Sequence, residues 1–193
     1  MITHLKGKLV EKTPTSVVIE CNGVGYEIHI SLHTFSLIPE SENVKLFTHL
    51  LVREDSHTLY GFFEPSEREI FKLLISVSGV GASTARTMLS SLSPKQVQDA
   101  IATNQVATIQ SVKGIGAKTA QRVILDLKDK ILKVFALEDV SAVSSNTNKD
   151  EALSALETLG FSRKQTEKVC QKIIQEDPSA SVESIIKLAL KNL

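Results

Sequence analysis

Hydrophobic and polar residues alternate through the first third of the chain. ITHLKGKLVEK, TSVVIEC, GYEIHI, NVKLFTHLLVRE and HTLYGFF are rich in β-branched and aromatic residues. Each carries the period of two expected of a half-buried strand. Turn signals such as Thr13-Pro14 and Asn22-Gly23 separate them. LHTFSLI, residues 32–38, predicts a short helix between the third and fourth strands. Five short strands with a helical insert predict a closed barrel of the oligonucleotide/oligosaccharide-binding (OB) type over residues 1–63, with another small β-barrel as the competing architecture.

The period lengthens after residue 63. Ser66-Glu67-Arg68-Glu69 has the spacing of a capping box, and Ile70, Phe71, Leu73, Leu74 and Val77 then share a helical face. Gly79 and Gly81 break this helix, and another follows through Ala85, Met88, Leu89 and Leu92. Ser93-Pro94-Lys95-Gln96 predicts a second capping box with proline at the first helical position. A helix ending before Asn104-Gln105, one leading into Gly114-Ile115-Gly116, and a long one through Val123, Leu125, Leu127 and Ile131 complete an all-α domain over residues 64–137. Residues 138–149, EDVSAVSSNTNK, hold no large apolar residue beyond two valines and predict a linker. Residues 150–193 return to three short helices, the second starting on a third box, Ser162 to Gln165, and the last following Asp177-Pro178. The chain therefore predicts a multidomain α+β protein.

One phrase occurs twice. SVSGVGASTA (76–85) returns thirty-five positions later as SVKGIGAKTA (111–120), identical at seven of ten positions. Glycines between two helices let the chain turn sharply and bring its backbone close to another molecule. The helix that follows begins with unpaired N–H groups and the positive end of its dipole, which favour an anion. Candidate phosphate ligands are Gly79, Val80, Gly81, Ser83, Thr84 and Arg86 in the first copy. Gly114, Ile115, Gly116, Lys118, Thr119 and Arg122 are their counterparts in the second. A tight turn between packed helices, with Val80 and Ile115 as core plugs, accounts for either copy alone; the repetition favours phosphate binding. A P-loop is excluded because Ala117 separates Gly116 from Lys118, and a dinucleotide fingerprint because no strand precedes either glycine pair.

Charge sharpens this picture. The 193 residues balance to zero, which by itself argues against a nucleic-acid binder. The distribution is uneven: residues 64–132 hold nine Lys/Arg against six Asp/Glu, whereas residues 1–63 hold five against seven. The excess positive charge sits with the repeated phrase. Apolar runs are too short to span a bilayer, and MITHLKGKLVEK is not built as a signal peptide. Cys21 and Cys170 fit reduced thiols in a cytoplasmic protein. All five histidines lie in residues 1–57, and His29 and His33 straddle a strand end, so no metal site is expected. Nothing points to a catalytic residue or a cofactor. Tyr26 and Tyr60 are expected to pack in the barrel rather than stack on bases.

With these residues in hand the chain resembles the bacterial Holliday-junction-binding RuvA family. The doubled corners look like helix-hairpin-helix motifs, and VREDSHTLYGF (52–62), SGVGASTA, KGIGAKTAQR and EALSALETLGF (151–161) match the family. The resemblance implies a homotetramer, single or paired, that binds four-way DNA junctions by structure and holds them open. It implies a C-terminal three-helix domain of ubiquitin-associated (UBA-like) type that recruits the RuvB ATPase hexamer for branch migration, and RuvC resolvase in the larger complex. It turns Glu54 and Asp55, otherwise a polar hairpin tip, into an acidic pin that repels phosphates at the tetramer centre. It also makes an apolar patch around Leu156, Leu159, Gly160, Phe161 and Leu190 the expected ATPase contact. One departure is Ser83, where relatives often carry a basic residue. The alternatives are a structure-specific nuclease, for which Glu54 and Asp55 are the only candidate carboxylates, and a general duplex-binding protein.

Overall fold

The computed structural model describes residues 1–140, 147–177 and 180–192, without the side chains of 132–140, 147 and 176. They form two compact units, Met1–Ala136 and Leu137–Leu193. In the first unit, strands β1 (His4–Lys12), β2 (Ser16–Cys21), β3 (Val24–Ile30), β4 (Asn43–Val52) and β5 (His57–Phe62) close a barrel in the order β1-β2-β3-β5-β4. Closure runs through a short parallel pairing of β3 with β5, and every other pairing is antiparallel. Inward residues at every second position, among them Val17, Ile19, Ile28, Ile30, Val44 and Leu46, fill it. This is the five-stranded OB barrel that the alternation predicts. The expected helix at 32–38 is α1 (Leu32–Leu37), capped by the Ser31 hydroxyl, which accepts the Thr34 N–H at 3.0 Å.

Four shorter helices and the start of a long one pack beside the barrel: α2 (Pro65–Ile75), α3 (Ala82–Ser91), α4 (Pro94–Ala102), α5 (Val106–Gln110) and α6 (Ala117–Val140). Their common core is centred on Phe71, Leu74, Met88, Leu89, Ile101 and Leu127. Tyr60 and Phe62 of β5 belong to this helical core: both rings lie 5.0 Å from that of Phe71. Tyr60 is thus a packing residue.

The capping signals fared unequally. The Ser93–Gln96 box forms in both directions, Gln96 N–H to Ser93 Oγ at 3.2 Å and Ser93 N–H to Gln96 Oε1 at 2.8 Å. The Ser66–Glu69 box does not form. Helix α2 starts earlier, with Glu64 as N-cap and Pro65 in the first turn, because proline's fixed φ and missing N–H suit that position. At Ser162 the cap position is right, but the hydroxyl donates to the Gln165 side chain at 2.6 Å instead of capping a backbone amide. Leu125, expected on the long helix's stripe, is 82% exposed. Val123 and Leu127 lie one turn apart on the buried face, and a residue midway between them points the other way.

Of the expected linker at 138–149, residues 138–140 are the end of α6 and 147–149 the start of α7; the remaining six lie outside the described residues. The second unit comprises α7 (Thr147–Thr158), α8 (Arg163–Glu176) and α9 (Val182–Asn192). Its small core gathers Ala152, Leu153, Leu156, Cys170, Ile173, Ile185 and Ala189. Burial pushes the Cys170 thiol above its usual range, as suits an inert packing residue. Among the described residues no helix is long and apolar enough to cross a membrane.

Candidate nucleic-acid interface

The two copies of the repeated phrase become two corners of one geometry. Gly79 has φ +94° and Gly114 φ +91°, a backbone conformation that a side chain disfavours. Just after each, a buried residue closes the turn: the Val80 N–H donates to Val77 O at 3.0 Å, and the Ile115 N–H to Val112 O at 3.1 Å. Burial repeats with the thirty-five-residue spacing. Val77 and Val112, Val80 and Ile115, Ala85 and Ala120, and Met88 and Val123 are all in the same core. Val80 and Ile115, expected among the phosphate ligands, therefore act as plugs that shape the corners. Their side chains are buried and their amides are spent within the turn.

The outer surface of each corner is open. A Cβ built on Gly79, Gly81, Gly114 or Gly116 would meet nothing within 4 Å. The N-cap Gly81 offers no side-chain hydrogen bond to α3. The first intrahelical bonds are Ala85 N–H to Gly81 O and Ala120 N–H to Gly116 O, each 2.9 Å. The amides of the preceding residues project from the helix ends, where the dipoles place positive potential. Two anion-attracting helix starts thus emerge from a single rigid core.

The flanking side chains divide into two kinds. Ser83 and Lys118 are exposed at matched positions, with Thr84 and Thr119 half-buried beside them. The arginines have partners inside the protein. Arg86 Nη1 donates to the Thr15 carbonyl at 3.3 Å, tying α3 to the barrel, and Arg122 Nη1 donates to the Ser78 carbonyl at 3.5 Å, linking the second hairpin's helix to the first corner. Each guanidinium keeps further N–H groups for an incoming oxygen. Lys113 is an exposed cation on the second corner that motif reasoning passed over. The alignment of the two phrases, which sets it opposite Ser78, is the signal that could have found it.

The acidic pair sits at the tip of the β4–β5 hairpin. Arg53 N–H donates to Ser56 O at 2.8 Å, closing the turn, and Ser56 Oγ contacts Asp55 Oδ1 at 3.2 Å. Glu54 and Asp55 are exposed, and among the described residues neither is in an ion pair.

In the second unit the five expected contact residues separate. Leu156 is fully buried, a core residue, which corrects its place on the expected patch. Leu159 is 60% exposed and Leu190 45%. Gly160, at φ +97°, ends α7 in a Schellman turn, with Phe161 N–H to Leu156 O at 3.1 Å and Gly160 N–H to Glu157 O at 3.0 Å. Phe161 is half-buried against the small core. Leu188 is a further exposed leucine on α9, and Val182, Ile186 and Leu190 line a shallow apolar groove there.

Three family models match the chain: RuvA N terminal domain over residues 1–61, SAM-like helix-hairpin-helix tandem over 71–129, and RuvA C-terminal domain over 147–193. Similar proteins named Holliday junction branch migration complex subunit RuvA occur in Christiangramia forsetii, 72% identical over 193 residues, and Flavobacterium psychrophilum, 67% identical over 193 residues. A third, from Bacteroides thetaiotaomicron, is 47% identical over 201 residues. In all three comparisons 100% of both chains is covered.

Proposed function

This chain belongs to the RuvA family, and from that premise we propose that it binds four-way (Holliday) DNA junctions by structure rather than sequence and holds them open for branch migration. It is the non-catalytic subunit, and ATP hydrolysis belongs to the partner RuvB. The observation that carries this reading is the pair of matched corners on one core. Two fixed anion sites presenting main-chain amides hold the sugar–phosphate backbone at two points, and backbone contacts position a duplex without reading its bases. The charged and polar contacts are Ser83, Thr84, Lys118 and Thr119, with Arg86 and Arg122 sharing their donors between protein and phosphate.

Four copies around one axis bring the Glu54-Asp55 tips together. Their carboxylates repel phosphate at the crossover while the corners attract it on the arms, favouring an unstacked junction. A closed four-fold ring matches four arms to four identical subunits. The exposed Leu159 and Leu190 offer RuvB an apolar contact from the second unit, and RuvC joins the same junction in the larger complex. The cytoplasm, where bacterial DNA lies, is the compartment this activity requires.

The test is a gel-shift titration of the full chain against a labelled four-way junction and a linear duplex of equal length, at fixed salt. Tighter binding to the junction is expected. Equal affinity would leave only a general duplex binder, and Mg²⁺-dependent cleavage of the junction would favour a nuclease.

A further inference from the structure

The one buried charged residue among those described lies away from both corners. Glu67, in the first turn of α2, is 0% exposed. It accepts hydrogen bonds from two hydroxyls of the barrel's helical insert: Ser31 Oγ to Oε1, and Thr34 Oγ1 to Oε2 at 2.6 Å. Both hydroxyls are also acceptors. Ser31 Oγ takes the Thr34 N–H at 3.0 Å, and Thr34 Oγ1 takes the Phe63 N–H at 3.1 Å. Phe63 lies on the short stretch by which the chain leaves β5 and enters α2. One carboxylate therefore joins the end of β3, α1, the crossing segment and α2.

Economy of stability does not explain this choice. Among the described residues no cation pairs with Glu67, and burial pushes its carboxyl above the usual range, so desolvation outweighs the two hydroxyl bonds. An apolar contact of equal volume would join the same surfaces at lower cost. What the carboxylate adds is direction. Two convergent hydroxyl bonds fix the orientation of α2 on the barrel, whereas an apolar contact allows it to slide. The other hydrogen bonds across this boundary are solvent-exposed, Arg68 Nη1 to Thr3 O at 3.0 Å, Arg86 Nη1 to Thr15 O at 3.3 Å and Leu32 N–H to Ser90 Oγ at 3.1 Å, and the buried contact of Tyr60 and Phe62 with Phe71 is an apolar one.

We infer that Glu67 is the positioning residue that sets the orientation of the helical platform, with its two phosphate-binding corners, on the barrel, with its acidic tip. The inference rests on the junction-binding reading above. A linear duplex needs the corners alone. A junction needs the corners on its arms and the acidic tip at its crossover together, so the orientation between them decides junction preference and not affinity for DNA in general. In Glu67→Gln the side chain keeps its volume but accepts only one of the two hydroxyls, leaving the other without an acceptor.

The experiment titrates wild type, Glu67→Gln and the milder Ser31→Ala against a four-way junction and a linear duplex of equal length, at one salt concentration. Circular dichroism and thermal melting establish the folded fraction. Loss of stability alone removes active protein and weakens both titrations by one factor, so the ratio of the two dissociation constants is blind to it. The expected result is a fall of about tenfold in junction-over-duplex preference for Glu67→Gln and a smaller fall for Ser31→Ala, with duplex affinity retained. An unchanged ratio in folded variants overturns the inference; should Glu67→Gln not fold, the ratio for Ser31→Ala decides it. A wild type without junction preference overturns the reading beneath it, an outcome visible before any variant is compared.

Discussion

Gly79→Ala and Gly81→Ala are the same chemical change two residues apart, and the geometry gives them opposite consequences. Gly79 sits at φ +94°, and a Cβ there would meet nothing within 4 Å. Its penalty is therefore purely a backbone one, ~1–3 kcal/mol for a residue forced into a sparsely populated region. The substitution recovers ~0.4–1 kcal/mol by stiffening the unfolded chain. The balance is a loss of about 1 kcal/mol, or a fall in melting temperature of about 3 °C for a unit of this size. Gly81 has φ −81° and ψ 165°, ordinary extended backbone, and its Cβ also meets nothing within 4 Å. As the N-cap of α3 the position favours glycine over alanine by about 0.5–1 kcal/mol, which the stiffer unfolded chain offsets by ~0.4–1 kcal/mol, so folding stability changes little there. Its methyl group stands where a phosphate must approach the α3 amides. Losing one charge-assisted contact weakens binding by ~1.5–3 kcal/mol, or roughly ten- to hundredfold. Differential scanning calorimetry and junction titration of the two variants separate the effects. If Gly81→Ala binds the junction as wild type does, the corners do not meet phosphate. If Gly79→Ala melts unchanged, the account of the turn fails.

Further outcomes follow from other placements. Lys118→Ala weakens junction binding more than Ser83→Ala and lowers the slope of log affinity against log salt by about 0.9, because it alone removes a charge; equal losses and slopes contradict the ranking. Leu156→Ala destabilises the second unit by ~2–4 kcal/mol, since the side chain is fully buried, whereas Leu159→Ala changes stability by less than about 0.5 kcal/mol; urea melts of the two variants check this. Burial holds the Glu67 carboxyl above its unfolded value, against the hydroxyl bonds from Ser31 and Thr34, with the His33 ring and the Glu64 side chain nearby. The folded state therefore holds this proton more tightly than the unfolded state. Its contribution to stability is full below the unfolded carboxyl pKa and is lost as pH rises through the raised folded value. Subtracting the Glu67→Gln stability profile from that of wild type isolates the downward slope, and a flat difference would refute the assignment.

Local interactions made much of this protein legible in one dimension. Strand alternation, the proline and glycine punctuation, and the shift to helical period lie within a few residues of the structures they specify. The doubled phrase is legible for the same reason, since a positive φ at Gly79 and Gly114 is a property of the residue type and its turn. The exposure of Leu125 is also legible locally, since two residues past Val123 is the far side of a helix. The Ser66 box lost to Pro65, a competition between two local signals in which proline's fixed dihedral prevailed.

The barrel, the two glycine corners and the three closing helices are encoded locally, because period, turn chemistry and helix breaking act between near neighbours. Which side chains those elements leave free depends on long-range packing. The i, i+3 spacing of Leu156 and Leu159 suits one helical face, but α7 ends at Thr158, so Leu156 is buried against α8 and α9 while Leu159 lies exposed in the turn at Gly160. Arg86 finds its carbonyl in the barrel, and Glu67 its two hydroxyls on α1, more than thirty positions away along the chain. Such partners are set by where the folded chain brings its distant segments together, and no local pattern encodes that.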